Sequence, residues 1–225
     1  MAEERPHPLV HLACDGVMPR WLAEVYGVPR GAGHRRVVHL PPTPWSRRAV
    51  RLEVVGWSRG EVALAPKALR HALATAVARY RLRARPDLWD SLAVRSSRRS
   101  LRGREWARWL GREGRLKGVP RPDAEVWDVE ALAPFLPRFT KRPDTGWPHL
   151  YSPVAVEVDM RLSPEAVWAR WEAWLSVYSG VLWFVPSEER ARAVGSLLRR
   201  WLEGREGLSD AWRVYVIGRW WDGQD

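Results

Sequence analysis

The sequence predicts an α/β (α+β) fold in two parts: a smaller helix-and-hairpin region over residues 1–85 and a larger mixed sheet flanked by helices over residues 86–225. Three observations lead there. The second half alternates short apolar runs at 154–160 and 181–185 with longer amphipathic stretches, the pattern of buried strands and their covering helices. Those stretches are punctuated: Ser163 before Pro164 and Ser187 before Glu188 are helix-start signals, and Gly180 closes the helix between them. Joining 154–160 to 181–185 through that helix makes a crossover, so the two strands are expected to lie parallel.

Taken in order, residues 17–28 place Trp21, Leu22, Val25 and Val28 near one helical face, with Gly27 as the stop. Residues 29–40 carry Arg30, Arg35 and Arg36 beside an apolar side. This is the order of a helix-turn-helix, in which a glycine turn precedes an arginine-bearing helix, although Pro29, Gly31 and Gly33 weaken that helix. Two strand-like runs at 49–55 and 61–65 flank Gly56-Trp57-Ser58-Arg59-Gly60, a hairpin with Arg59 at its tip. Helix, helix and hairpin read together as winged-helix-like; a hairpin that only caps the neighbouring domain is the alternative. Residues 66–84 form a connecting helix with Leu69, Leu73, Ala76, Val77 and Tyr80 on one face, ended by Pro86.

Residues 95–102 hold the densest positive cluster, with Arg98, Arg99 and Arg102, and read either as a loop touching phosphates or as a solvated linker. A helix is expected over 101–111, a short strand at 116–119 and another strand at 124–129. Residues 130–150 contain Pro134, Pro137, Pro143 and Pro148 and read as an irregular insertion. Beyond the 154–160 strand, its crossover helix and the 181–185 strand, a helix runs from Ser187 to Leu202 and a last strand covers 212–220.

Composition narrows the function classes. A 225-residue chain that is 46% hydrophobic has enough apolar residues for a sizeable core. No apolar run approaches the roughly 20 residues that cross a bilayer, and the first residues lack a secretory pattern, so a cytoplasmic protein without membrane contact is expected. Cys14 is the only cysteine, which excludes internal disulfides and cysteine-based zinc clusters. No GxxxxGK phosphate loop and no Gly-x-Ser-x-Gly motif is present, leaving ATP-driven activity and hydrolase triads without a starting point. The six histidines show no metal-ligand spacing. The formal charge is +11, and Lys67, Lys117 and Lys141 are the only lysines. Arginine forks match phosphate oxygens in pairs, so this excess points to a polyanion, with DNA the expected partner. The same bias, with no asparagine and a single glutamine, also fits a GC-rich, thermophilic coding preference. Tryptophans such as Trp168, Trp171 and Trp174 fall at helical spacing and read as core.

Acidic residues sit at two apolar runs: Asp123 opens 124–129, and Glu157 and Asp159 lie inside 154–160. A carboxylate in a buried strand is costly unless its charge is compensated, and a divalent cation shared by two such groups is one compensation. An ion pair with arginine is another. Asp123 also follows a proline, as Asp144 does, and capping a turn would explain either; an apolar strand follows only Asp123.

Asp123 in Arg121-Pro122-Asp123-Ala124, and Glu157 and Asp159 in Val154-Ala155-Val156-Glu157-Val158-Asp159, resemble the PD-(D/E)XK nuclease superfamily. Together with Gly180-Val181-Leu182-Trp183-Phe184-Val185-Pro186, their spacing is similar to the replication-relaxation family, which joins a winged helix to a nuclease-like domain in plasmids and mobile elements. The resemblance implies a restriction-endonuclease-like sheet, Asp123 and Glu157 as ligands of Mg2+ or Mn2+, and Glu105 as an added acid. It departs at the position two after the acid, where active members carry a lysine and this chain has Asp159. A lysine there orients the attacking water and offsets phosphate charge, which an aspartate does not, and Arg161 further on stays protonated and is a poor base. The expected function is therefore a DNA-binding protein of a plasmid or mobile element, acting in replication, transfer or its control. Catalytic candidates are Asp123, Glu157, Asp159 and Glu105. A non-catalytic DNA-binding regulator and a protein-assembly factor, working as a homodimer or with a partner protein, are the alternatives.

Overall fold

In a computed structural model the described residues are 6–43, 46–92, 94, 100–112, 119–127, 132, 152–159, 162–203 and 212–221. Pro8 starts the first helix, α1 (Pro8–Asp15), with the His7 ring accepting from the Leu9 N–H at 3.3 Å. Gly16, at φ 77°, ends it and turns the chain into β1 (Val17–Pro19), after which α2 (Arg20–Val25) follows directly. A long hairpin comes next, β2 (His34–Leu40) and β3 (Val50–Gly56), and β1 adds to its other side in the antiparallel order β1-β3-β2.

This part corrects two expectations. The groove-reading helix expected over 29–40 is the strand β2: Val38 and Leu40 are buried while Val37 and His39 face solvent, a two-residue period that a helix does not produce. Gly33, at φ 72°, admits the strand because a Cβ there would stand 2.8 Å from the Gly56 carbonyl oxygen. The strand expected at 61–65 is a helical turn, α3 (Arg59–Val62). Its start is a capping box: the Ser58 hydroxyl accepts from the Glu61 N–H, and the Glu61 carboxylate accepts from the Ser58 N–H at 2.8 Å. The hairpin thus pairs β3 with β2, and Arg59 sits at a helix start.

The expected connecting helix is α4 (Pro66–Leu82), closed by Arg83 in the left-handed conformation at φ 53°. Its buried face includes Leu69, Leu73, Ala76, Val77 and Leu82, together with one charged side chain, Arg79. Arg79 grips Asp15 at the end of α1 with both arms, Nε to Oδ1 at 2.8 Å and Nη2 to Oδ2 at 2.7 Å, and donates to the Ala84 carbonyl. Burial opposes charge on this guanidinium, but the Asp15 carboxylate outweighs it and holds the pKa above the ordinary arginine range. Tyr26 lies under the guanidinium at 4.9 Å and stacks on His11 at 4.0 Å. Burial and the Arg79 charge push His11 down to about 4, so it stays neutral at physiological pH.

A 3-10 turn (Pro86–Leu88) leads into the second sheet, order β4-β5-β6-β7-β8. Its strands are β4 (Trp89–Ser91), β5 (Ala124–Val126), β6 (Val154–Val158), β7 (Gly180–Val185) and β8 (Trp212–Val216). The first three form an antiparallel meander, and β6, β7 and β8 run parallel, as the crossover requires. Between β4 and β5 lies α5 (Leu101–Arg112), seated by Asp90, which accepts from the Ser100 N–H and hydroxyl at 2.6 Å each and from the Trp127 indole at 3.1 Å. The crossover helices are α6 (Pro164–Leu175) and α7 (Glu188–Leu202), with Ser163 and Ser187 accepting at their starts as the sequence indicated. The mixed sheet flanked by helices is thus present; the strand expected at 116–119 and the insertion at 130–150 lie almost entirely outside the described residues.

Strand alternation divides the core. Val154, Val156, Val158, Leu182 and Phe184 face α4 and the three-stranded sheet in one cluster, while Ala155, Val181, Trp183 and Val185 face the tryptophans of α5 and α6 in another. The first cluster runs unbroken across residue 85, so both sequence regions share one core. Among the described residues no helix is long and apolar enough to cross a membrane.

Replacing Arg79 with methionine leaves Asp15 buried without its partner, and urea denaturation is expected to show a loss of about 3–5 kcal/mol. The double variant Arg79→Met with Asp15→Leu is expected to recover much of that loss. A double variant no better than the single one would show that the two side chains do not act as a pair.

Candidate functional site

The β5–β6 pairing matches Ala124 with Val156, and one position further Asp123 comes opposite Glu157 on the neighbouring strand. The Asp123 N–H still donates to the Val156 carbonyl at 2.9 Å, and its carbonyl accepts from Leu92 at 2.9 Å, so the backbone remains part of the sheet. Its side chain then takes over where the ladder ends: Oδ2 accepts the Val158 N–H at 2.7 Å and meets His71 Nε2 of α4, also at 2.7 Å. The approach to this point is fixed by Trp174, whose indole donates to the Pro120 carbonyl at 2.6 Å.

Glu157 is 1% exposed, on the sheet face covered by α6. Arg170, one helical turn before Trp174, is ion-paired with Glu157 Oε1. Burial raises the Glu157 pKa well above its ordinary value, the Asp123 and Asp159 carboxylates add to the rise, and Arg170 opposes it. No donor among the described residues faces Oε2, whereas Asp123 lies within hydrogen-bonding reach of the Glu157 carboxyl. The raised Glu157 pKa favours its protonated form beside Asp123, with Arg170 on the one acid and His71 on the other. Neither Arg170 nor His71 was picked out in the sequence: one sits on the helix after the strand, the other on a helix read as a connector.

Asp159 is committed elsewhere. Its Oδ2 accepts from Arg190 Nη2 at 2.6 Å and Nε at 3.1 Å, and its Oδ1 accepts the Leu162 N–H at 2.8 Å, so it staples the exit of β6 to the start of α7. At the position where the resemblance calls for a lysine stands a fully paired structural carboxylate. Arg161 lies outside the described residues, and the positive charge next to Glu157 comes from Arg170. Glu105 is half-buried on α5.

A divalent cation held by Asp123 and Glu157 would have to displace Arg170 from one carboxylate and His71 from the other. Among the described residues no three acidic, histidine or cysteine side chains converge as a metal cage. As arranged, the side chains do not fit the cation that the resemblance implies.

The basic residues divide in the same way. Arg35 donates to Glu53 at 3.3 Å and to the Arg30 carbonyl at 2.9 Å, and Arg36 donates to the Val62 carbonyl at 3.3 Å, so both have internal work. Arg30, Arg59 and Arg102 are exposed, while Arg98 and Arg99 lie outside the described residues. Four exposed arginines that the sequence did not single out, Arg47, Arg48, Arg51 and Arg219, border one cleft of about 770 Å³. No ion pair joins any of them to an acid among the described residues. None of the residues at the acid pair lines that cleft.

Compared with protein families, characterised proteins and solved structures, the chain matches none.

The acid pair makes stability pH-dependent in a defined direction. A carboxyl whose folded pKa is raised contributes stability that is complete below its unfolded value near 4.5 and is lost as pH rises through the folded value. Glu157→Gln removes this loss, so its stability relative to the unmodified protein is expected to increase as pH rises above about 4.5 and then level off. Urea midpoints measured across pH check it; a constant difference would mean Glu157 titrates normally. Asp123→Asn is expected to move the levelling point to lower pH by removing the neighbouring charge.

Proposed function

We propose that this is a DNA-binding protein whose nuclease-like domain acts by binding rather than by cutting. The observation that carries this reading is where positive charge goes: Arg170 and Arg190 serve the buried acids, while Arg47, Arg48, Arg51 and Arg219 remain uncompensated at the surface among the described residues. Uncompensated arginines on a chain of charge +11 repel one another unless a polyanion arrives, and phosphates supply matching acceptors. The three-stranded sheet with its arginine-bearing hairpin takes the place of the winged-helix region in this reading, with contacts to backbone instead of a helix in the groove. The resemblance to plasmid and mobile-element proteins supports a role in replication, transfer or their control. A cytoplasmic location is part of the same proposal.

Metal-dependent cleavage is the second reading. The Glu157 oxygen that no donor faces among the described residues favours it, since Mg2+ or Mn2+ would satisfy that oxygen and the neighbouring Asp123. A protein-assembly factor, meeting an acidic partner through the same arginines, is the third.

Labelled DNA separates them. Binding is expected to weaken linearly in log affinity against log salt, with a slope of about −0.9 per phosphate neutralised on duplex and about −0.7 on single strands. Affinity indifferent to salt would overturn the proposal. Incubation with Mg2+ or Mn2+ is expected to leave the DNA intact; cleavage abolished by both Asp123→Ala and Glu157→Ala would establish the second reading instead.

A further inference from the structure

We infer that the cleft between the β2–β3 hairpin and the C-terminal tryptophans is a channel for single-stranded nucleic acid. This deepens the DNA-binding reading and rests on it. The cleft is lined by Ser46, Arg47, Arg48, Arg51, Arg219 and Trp221. A second concavity of about 470 Å³ shares Arg51 and Trp221 and extends to Trp21 and Val37, so the two adjoin at those side chains. One wall is β3, where Arg51 pairs in register with the exposed His39. The other wall is the segment after β8, held by the Trp21 indole donating to the Trp220 carbonyl at 3.2 Å and by Arg81 donating to the Val216 carbonyl at 3.4 Å. Trp220 is buried and meets Trp221 edge to face at 5.6 Å, which fixes the partly exposed Trp221 ring from behind.

Arginines along a groove with an aromatic ring inside it are the elements by which single strands are bound: the guanidinium groups follow the phosphates, and the ring stacks on a base. In a duplex the base faces are covered by their neighbours, so a tryptophan recessed in a cleft has nothing to stack on. Duplex readers instead push a helix or ribbon out into a groove. A recessed ring between arginines that are uncompensated among the described residues therefore selects unpaired nucleotides. The far end, where Glu53 joins Arg20 and Arg35 at 3.1 and 3.3 Å, is more nearly neutral, so the phosphates concentrate at the Arg47–Arg51 end.

Fluorescence anisotropy tests this with labelled dT12, U12 and a 12-base-pair duplex at several salt concentrations, using the full chain. The single strands are expected to bind at least about tenfold more tightly than the duplex, and whichever of dT12 and U12 binds more tightly identifies DNA or RNA as the ligand. Arg48→Ala with Arg51→Ala is expected to flatten the single-strand salt slope by about 1.4, two contacts at about 0.7 each. Trp221→Ala is expected to weaken single-strand binding about tenfold or more, and Trp221→Phe, which keeps an aromatic face and much of the packing, less. Circular dichroism confirms that each variant is folded. Duplex binding that equals single-strand binding, or arginine variants without effect, would overturn the channel while leaving DNA binding in place. Failure to bind all three would overturn both readings. A 12-residue polyglutamate binding as tightly as dT12 would overturn the channel in favour of an acidic protein segment.

Discussion

The Arg79–Asp15 pair is the interaction on which the arrangement of this protein depends. Two opposite charges removed from water are costly, and the cost is offset only when the geometry satisfies both groups. Here the guanidinium fork takes both carboxylate oxygens, a third arm reaches the Ala84 carbonyl, and a tyrosine ring lies beneath. The consequence is geometric. The pair sets α1 against α4, and α4 lies between the three-stranded sheet and β6. The two-toothed pair adds a directional contact to the apolar packing that seats α4 against its neighbours.

Charge is distributed through the larger domain by the same rule. Each buried acid on or beside β4, β5 and β6 is met by a group from the covering layer: Asp90 by the start of α5, Glu125 by the Tyr178 hydroxyl at 2.9 Å, Glu157 by Arg170 and Asp159 by Arg190. Glu157 keeps one oxygen, Oε2, that no donor meets among the described residues. With Asp123 opposite it, its charged form is disfavoured by burial and by the neighbouring carboxylates, which Arg170 only partly offsets.

Much of this was legible in the sequence, and the parts that were not share a cause. The strands at 154–158 and 180–185 stand out because they are continuous apolar runs, and α6 and α7 because serine caps mark their starts. The meeting of Asp123 and Glu157 follows once their strands are paired. β2 was misread because an arginine doublet followed by a valine doublet suits either period, and only its pairing with β3 decides between them. β4 was missed because Trp89-Asp90-Ser91 is short and its aspartate works as a helix cap. His71 and Arg170 join the acid pair from helices whose own patterns describe packing, so nothing local in the sequence marks them.

The core that runs across residue 85 gives the molecule an indivisibility its two-part sequence hides. Severed there, the larger fragment would lose the imidazole that sits on Asp123 and leave Val154, Val156, Val158 and Phe184 facing water, while the smaller would keep α4 with a face built for a sheet it no longer has.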